Sequence, residues 1–252
     1  MKNKIIVEKS GHVTTIVINR PEVKNALDKE ATAQLAAAIQ GFEQDDQARV
    51  AVLCGAGGSF CSGADLKELA SGVKYDAWAG SDGPLALPPK KPVIAAVEGH
   101  ACAGGLGVAL WCDLRVAAES ASFAVLSRRW GVPMSDGTTV RLPRIIGTGN
   151  ALDMLLSARI VSAKEALDMG LITRLVPTGS ARSAAEDLAQ SIAQFPQIAM
   201  RSDRESVYDQ ASLSLADALV QEAKLAESAK EIEATEGASR FSSGEGRHGS
   251  IS

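Results

Sequence analysis

The chain has 252 residues, of which 46% are hydrophobic and 22% charged, and its formal net charge is -4. This length can bury one large core, or a core with a small appendage, and the acidic balance disfavours nucleic-acid binding, which needs a basic surface. No apolar run reaches the roughly 20 residues of a membrane span, and no secretory core follows the first residues, so we expect a cytoplasmic protein without a membrane partner.

The cysteines and histidines do not predict a metal site. Cys54, Cys61, Cys102 and Cys112 lie on apolar strands or glycine turns and lack C-x-x-C spacing, so we expect buried, reduced thiols. His100 is the one histidine near a candidate site, and Cys102 is close to it in sequence, but no third ligand follows.

The chain begins with a predicted β-hairpin of Ile5 to Glu8 and Val13 to Asn19. A loop interrupted by proline follows and ends at Asp28, a candidate N-cap for a helix that continues to residues 45–46. The apolar run Val50 to Leu53 then predicts a further strand.

Two glycine-rich stretches, residues 58–66 and 99–107, each follow an apolar strand pattern and precede helical spacing. We call them the first turn and the second turn. Such turns expose backbone N–H groups at a helix N-terminus, where they can bind an oxygen that becomes anionic during a reaction. If the N–H groups of Ser62 and Gly104 face one another, they can share one carbonyl oxygen. The alternative is two tight packing turns without a chemical role.

Residues 71–91 lose periodicity and contain several glycines and prolines, which is compatible with a mobile loop over a site or with a plain insertion. Strands are predicted at Val93 to Val97 and Leu114 to Ala118. An irregular stretch over residues 123–137 ends at a helix start near Thr138, and Leu152, Leu155 and Leu156 mark a helix beyond it.

The remaining pattern predicts a helix over Ala163 to Met169, a strand over Ile172 to Val176 and a helix over Ser183 to Phe195. After Pro196 the spacing is helical throughout. The sequence therefore divides into a core, residues 1–195, and a C-terminal helical region, residues 196–252, that packs on the core or on a neighbouring subunit.

Several familiar sites are not supported. The second turn lacks the third glycine of a dinucleotide-binding fingerprint, and no Walker lysine follows any glycine loop. Ser62 does not lie in a G-x-S-x-G nucleophile elbow. A site built from backbone N–H groups remains.

Several motifs carry a family resemblance, in order and over nearly the whole chain. They are Asn19-Arg20-Pro21 to Asn25-Ala26-Leu27, residues 60–66, Gly99 to Gly107 with Cys112-Asp113, residues 141–147, Ala163 to Val176, and the Glu236-Gly237 to Phe241 tail. In these motifs the chain resembles the crotonase (enoyl-CoA hydratase/isomerase) superfamily.

The resemblance implies an α/β fold, a crotonase-like spiral of ββα units with a C-terminal helical trimerisation region, in a homotrimer or a dimer of trimers. It implies a coenzyme A thioester as substrate, with no separate cofactor and no metal, and the N–H groups of Ser62 and Gly104 as oxyanion donors. It places the coenzyme A contacts at Val23, Lys24, Ala26, Ala64, Asp65 and Leu66. Lys24 could pair with a phosphate or be an ordinary surface lysine.

The chain departs from the hydratase pattern where that pattern has two glutamates, because the aligned residues are Gly107 and Ser127. Neither can transfer a proton as a carboxylate does. Asp136, near the place where isomerases of this family carry an acid, is the remaining candidate acid/base, and it could instead only cap the helix near Thr138. Trp130 could wall an acyl pocket or fill core space, and His100 is expected to be packed and hydrogen-bonded.

The expected reaction is isomerisation or hydration of an enoyl-CoA double bond. The same oxyanion site would also serve hydrolysis or C–C cleavage of an acyl-CoA or β-diketone. A non-catalytic acyl-CoA-binding protein is the third reading.

Overall fold

The computed structural model describes residues 3–74, 76, 78–81 and 83–244 of the chain. Two compact units are present: one ends at Ala193 and the other begins at Gln194.

A six-stranded sheet forms the centre of the first unit, in the order β1-β2-β3-β4-β6-β9. Its strands are β1 (Ile5–Ser10), β2 (Val13–Ile18), β3 (Val50–Gly55), β4 (Val93–Val97), β6 (Leu114–Ala118) and β9 (Arg174–Val176). The first two form the predicted antiparallel hairpin, and every later pair in the sheet is parallel. Because β3 and β4 are parallel, their C-terminal ends lie at the same edge of the sheet, and the loops that follow them begin there.

Alternate residues of the strands enter two different hydrophobic cores. In β3, Val50 and Val52 belong to one core, whereas Ala51 and Leu53 belong to the other. This alternation follows from the two-residue period of a strand, and burial on both faces explains the continuous apolar runs.

The helices of the first unit are α1 (Lys29–Gln44), α2 (Leu66–Ala70), α3 (Gly104–Trp111), α4 (Thr138–Ser157), α5 (Ala163–Asp168) and α6 (Ala181–Ala193). As predicted, Asp28 caps α1 by accepting a hydrogen bond from the Ala31 N–H. The predicted Ser183 to Phe195 helix begins and ends two residues earlier, as α6. The two predicted helices between Thr138 and Leu156 are joined in α4, which Gly147 interrupts at φ 77°.

A second, three-stranded sheet was not predicted. It pairs β5 (His100–Cys102) with β7 (Ser122–Ala124) in parallel and β7 with β8 (Val161–Ser162) antiparallel. The expectation that residues 99–107 form only a turn is therefore wrong at its start. Strands of two or three residues are too short to show the alternation by which a strand is recognised.

The second unit is helical, as the spacing after Pro196 predicts. It contains α7 (Gln197–Asp209), α8 (Leu215–Ala229) and α9 (Thr235–Ser243), with a π-helical turn over Lys230–Ala234. Glu233 accepts hydrogen bonds from the first N–H groups of α7, at Ile198 and Ala199. Residues 245–252 of the predicted C-terminal region lie outside the described residues.

All four cysteines are buried, as expected. Burial raises the pKa of Cys54 and of Cys61 to about 12, so both thiols stay protonated at neutral pH. Across residues 3–74, 76, 78–81 and 83–244, no cluster of side chains could hold a metal ion and no helix is long and apolar enough to cross a membrane.

Candidate active site

The first and second turns face one another. The Cys61 N–H donates to the His100 carbonyl at 2.9 Å, and the Cys102 N–H donates back to the Cys61 carbonyl at 3.0 Å. Beside this pairing, Gly63 has φ 99°, and a Cβ on it would lie 2.8 Å from the Gly104 nitrogen. Glycine is required at position 63 for two reasons: other residues rarely adopt this positive φ, and a side chain would cover the N–H of Gly104.

The second turn ends at the N-terminus of α3, whose first residue is Gly104. No hydrogen bond from the Gly104 N–H to any described residue is present, which is the usual state of a helix's first N–H groups. The ring of Trp78 packs on this glycine, since a Cβ there would lie 2.6 Å from Trp78 Cζ3. Gly104 therefore offers an N–H group beneath an aromatic wall.

The first turn differs from the prediction. Ser62 lies four residues before α2 begins, and its N–H donates to the Lys24 carbonyl at 3.1 Å. The first turn therefore leads into a helix as predicted, but the expectation that the Ser62 N–H lies at that helix N-terminus is wrong. The helix α2 has its own cap, because Asp65 Oδ1 accepts a hydrogen bond from the Lys67 N–H at 3.1 Å.

The loop of residues 20–28 is fastened to the first turn by side chains. Asn25 is fully buried, and its Nδ2 donates to the carbonyls of Ser59 at 2.6 Å and Ala56 at 2.8 Å. Arg20 forms ion pairs with Asp28 and Asp65 at 3.0 and 3.1 Å. Asp65 therefore joins the loop to α2.

A cavity of about 790 Å³ opens beside the two turns. It brings together most of the predicted site residues, namely Ser62, Gly104, Asp136, Val23, Ala26, Ala64, Asp65 and Leu66, together with Ser127 and Trp130. Lys24 is the exception: it is exposed, with φ 50°, and does not line the cavity.

Asp136 is 4% exposed and performs the capping role that the sequence allowed. Its Oδ1 accepts a hydrogen bond from the Thr138 N–H at 2.9 Å, at the start of α4. Burial raises the pKa of the Asp136 carboxyl above its ordinary value, and the Thr138 N–H and the positive charge of Arg141 offset this only in part. A carboxyl of this kind is a better proton acceptor than an exposed aspartate.

The same carboxyl occupies the space that a side chain at residue 107 would need. A Cβ on Gly107 would lie 2.4 Å from Asp136 Cγ and 2.7 Å from Oδ2. A Cβ on Gly104 would lie 3.4 Å from the same Oδ2. One carboxylate oxygen therefore caps α4, while the other lies against the first turn of α3.

The remaining candidates have different surroundings. Ser127 is buried and lines the cavity, where its Oγ donates to Met134 Sδ at 3.0 Å. His100 is hydrogen-bonded to Ser122 Oγ at 2.8 Å, as expected, but it is exposed rather than packed and lies off the cavity wall. Trp130 lies at the cavity edge with 73% of its surface exposed, so it does not fill core space.

Sequence reasoning missed Trp78, which lines the cavity although it belongs to the aperiodic residues 71–91. A tryptophan within a glycine- and proline-rich segment is a signal that could have identified it, because so large an apolar side chain needs a surface to pack on. Of the two expectations for residues 71–91, a loop over a site and a plain insertion, Trp78 favours the first, because it is buried against the cavity; Leu85 is buried as well. Tyr75, Ala77 and Asp82 of this segment lie outside the described residues.

Comparisons with known proteins agree on one family. The sequence model of a family described as Enoyl-CoA hydratase/isomerase matches residues 8–246. The enoyl-CoA hydratase EchA19 of Mycobacterium tuberculosis is 37% identical over 195 residues, which are 74% of this chain and 73% of that protein. The (E)-benzylidenesuccinyl-CoA hydratase of Thauera aromatica is 36% identical over 209 residues, covering 80% and 81%.

Solved structures share the architecture. The enoyl-CoA hydratase EchA1 from Mycobacterium marinum superposes with a TM-score of 0.91 at 33% identity, over 96% of each chain. The predicted α/β fold, with its mixed sheet and C-terminal helices, is confirmed.

Proposed function

The chain belongs to the enoyl-CoA hydratase/isomerase family, and from this premise we propose that it shifts a double bond in an enoyl-CoA thioester with Asp136 as its single acid/base. One observation carries the proposal: the Asp136 carboxyl fills the space above Gly107 and lies against the first turn of α3. Gly107 and Ser127 occupy the positions where the hydratase pattern has glutamates. Glu22, Asp65 and Asp76 also line the cavity, and Asp136 is the carboxylate that lies against Gly104.

One carboxylate is enough for an isomerisation. The Asp136 carboxylate removes a proton from the carbon next to the double bond, and the electron pair moves through the conjugated carbons to the thioester oxygen. The resulting carboxylic acid returns the proton to the other end of the allylic system. No net proton is gained or lost, so a second acid/base is unnecessary.

The Gly104 N–H is the primary donor to the thioester oxygen in this proposal. It lies at the N-terminus of α3, so its hydrogen bond strengthens as negative charge develops on the oxygen. The Ser62 N–H is the second donor. In the free protein it donates to the Lys24 carbonyl, and in the complex the thioester oxygen replaces that carbonyl as its acceptor or shares the hydrogen bond with it.

Hydration is the second candidate reaction, because the relatives named above are described as hydratases. In this reaction Ser127 Oγ would hold the water, since its partner in the free protein is the weakly accepting sulfur of Met134. Asp136 would then accept a proton from that water while the water oxygen attacks the β-carbon, and would afterwards deliver the proton to the α-carbon.

We place the coenzyme A moiety along Val23, Ala26, Ala64 and Leu66, which line the cavity. These small and apolar side chains suit a pantetheine chain that passes close to the backbone. Lys67 also lines the cavity, and in this proposal Lys67 and Lys24 are the candidate partners of the phosphate groups. Asp65 is paired with Arg20, so its charge is already neutralised.

The test is exchange of acyl protons with solvent. Wild-type protein is incubated in D₂O with a 3-enoyl-CoA and with crotonyl-CoA, and the acyl protons and products are followed by NMR. We expect deuterium at the α- and γ-carbons of the 3-enoyl ester and conversion to the 2-enoyl ester. Asp136→Asn should lower both rates about 100-fold or more while binding of the thioester, measured by calorimetry, persists.

Asp187→Asn, an exposed aspartate on α6, is the matched control and should exchange like the wild type. Asp136→Asn with undiminished exchange would exclude Asp136 as the acid/base. Wild-type protein that binds thioesters without exchange or conversion would establish the binding-only reading, and release of free coenzyme A would establish a hydrolase.

A further inference from the structure

We propose that Arg141 is a positioning residue: its guanidinium holds the backbone of Asp136 and the cavity roof in one arrangement, so that the carboxyl faces the substrate correctly. The cavity roof is the segment of described residues 78–81 and 83–86, which carries Trp78. This proposal rests on the proposed role of Asp136. It assigns no proton transfer to Arg141.

The first contact is with the backbone of Asp136, two residues before α4 begins. Arg141 lies one turn into that helix, and its Nη1 donates to the backbone carbonyl of Asp136 at 3.1 Å. Gly137 is left-handed, with φ 86°, and a Cβ on it would lie 2.0 Å from Nη1. The guanidinium therefore lies directly on the backbone of Asp136 and Gly137, and no other residue type at position 137 would leave room for it.

The second contact is with the cavity roof. Arg141 Nη2 donates to the Leu85 carbonyl, and the Leu85 N–H donates to the Trp78 carbonyl at 2.7 Å. The Ala79 N–H donates to the Ser135 carbonyl at 3.0 Å. The cavity roof and the loop that carries Asp136 are thus joined at two places, and one of them is the guanidinium.

A guanidinium suits this position because its planar fork can donate in two directions at once, whereas a lysine ammonium is a single point charge. A change in the position of Trp78 when an acyl group enters would be transmitted to Asp136 through Arg141. The position of the Asp136 carboxyl and the shape of the acyl pocket would then be coupled.

Arg141 also acts on the charge of Asp136. Among the described residues, the charged or titratable groups that act on this carboxyl include Arg141 from α4 and the Cys61 thiol from the first turn, and burial keeps the thiol protonated by raising its pKa to about 12. Arg141 lowers the pKa of the Asp136 carboxyl, so its removal should move the acid limb of the activity profile to higher pH.

The experiment compares Arg141→Met and Arg141→Lys with Arg144→Met. Arg144 is an exposed arginine on the same helix, and it donates to the Val140 carbonyl. For proton exchange of a 3-enoyl-CoA we expect Arg141→Met to lower kcat at least tenfold, to change KM less than threefold and to shift the acid limb upward. Arg141→Lys should return the acid limb towards that of the wild type while kcat stays low. Arg144→Met should match the wild type in all three.

The proposal is overturned if the Arg141 variants keep wild-type kcat and acid limb, or if only KM changes. It is equally overturned if Arg141→Lys restores kcat in full, because a point charge would then suffice. Should Arg141→Met fail to fold, Arg141→Lys supplies the decision through kcat alone. Asp136→Asn is assayed beside them: full activity there refutes the proposed function, whereas an inactive Asp136→Asn with wild-type Arg141 variants refutes only this inference.

Discussion

The first and second turns look alike in sequence, and the structure makes them different. The second ends in α3, a buried apolar helix, and its Gly104 N–H is not engaged by any described residue. In the first turn Ser62 lies four residues before α2 begins, and its N–H is bound to the Lys24 carbonyl. A helix N-terminus comes with free N–H groups, whereas an N–H in an extended segment pairs with a neighbouring strand or loop.

Because of this difference, the two proposed N–H donors are held in position by different parts of the structure. The position of Gly104 depends on the rigidity of α3 and on close packing against Trp78. The position of Ser62 depends on the loop of residues 20–28, which Asn25 fastens. Substitutions can therefore weaken one turn without the other.

The largest effect on activity is expected for Gly104→Ala, a substitution that alters the second turn and leaves the first unchanged. The new Cβ would lie 2.6 Å from the Trp78 ring, so the ring or the N–H donor must move. We expect kcat/KM for an enoyl-CoA to fall about 100-fold to 1,000-fold, the usual result of losing one oxyanion donor. Gly149→Ala, in α4 with nothing close to the new Cβ, is the control. Activity within threefold of the wild type would remove Gly104 from the site.

The next largest effect, on stability, is expected for Asn25→Ala, a substitution that alters the support of the first turn and leaves the second unchanged. It leaves the carbonyls of Ser59 and Ala56 without their buried donor, at a cost of roughly 2 to 4 kcal/mol in the free energy of unfolding. Urea unfolding measures this loss, and Asn150→Ala, on the exposed side of α4, is the control. An unchanged midpoint would show that the loop is held by other contacts, such as Arg20.

A smaller effect is expected from Asp136→Asn on stability, and its sign is opposite. Burial raises the pKa of the Asp136 carboxyl in the folded protein, so folding favours the protonated form, and this stabilisation is lost as the pH rises through the folded-state pKa. At pH 7 the uncharged variant should therefore have a higher Tm than the wild type. The difference should shrink as the pH falls towards the ordinary range of a carboxyl. A lower Tm at pH 7 would contradict the assignment of burial as the dominant cause.

The smallest effect is expected for Ser62→Ala. Its donor in the proposed reaction is the backbone N–H, and its hydroxyl donates a long hydrogen bond of 3.3 Å to the Val23 carbonyl. The kcat/KM should stay within about twofold of the wild type. A large loss would show that the hydroxyl, rather than the backbone of the first turn, contacts the substrate.

Much of the fold could be predicted because its signals are local and periodic. The apolar runs of β3 and β4, the hairpin and the cap at Asp28 lie where the spacing predicts them. The three-stranded sheet could not be predicted, since β5 and β8 have too few residues for a period and exist only through their partners.

The candidate site was predictable in its residues and less so in its contacts. The sequence brought Ser62, Gly104 and Asp136 forward, and all three line one cavity. It could not choose between capping and catalysis for Asp136, because the two oxygens of one carboxyl can serve both. The bond from Ser62 to Lys24 and the packing of Trp78 on Gly104 depend on three-dimensional proximity, which spacing along the chain does not contain.

The contact between Gly107 and Asp136 makes these two positions interdependent for redesign. A carboxylate introduced at residue 107 alone would collide with the one already present, so single-residue conversion to a two-carboxylate site should damage the protein before it improves it. Shortening residue 136 first would empty the space and allow the second change. The effects of the two substitutions on stability should therefore be strongly non-additive, and the order in which they are made should decide whether the intermediate folds.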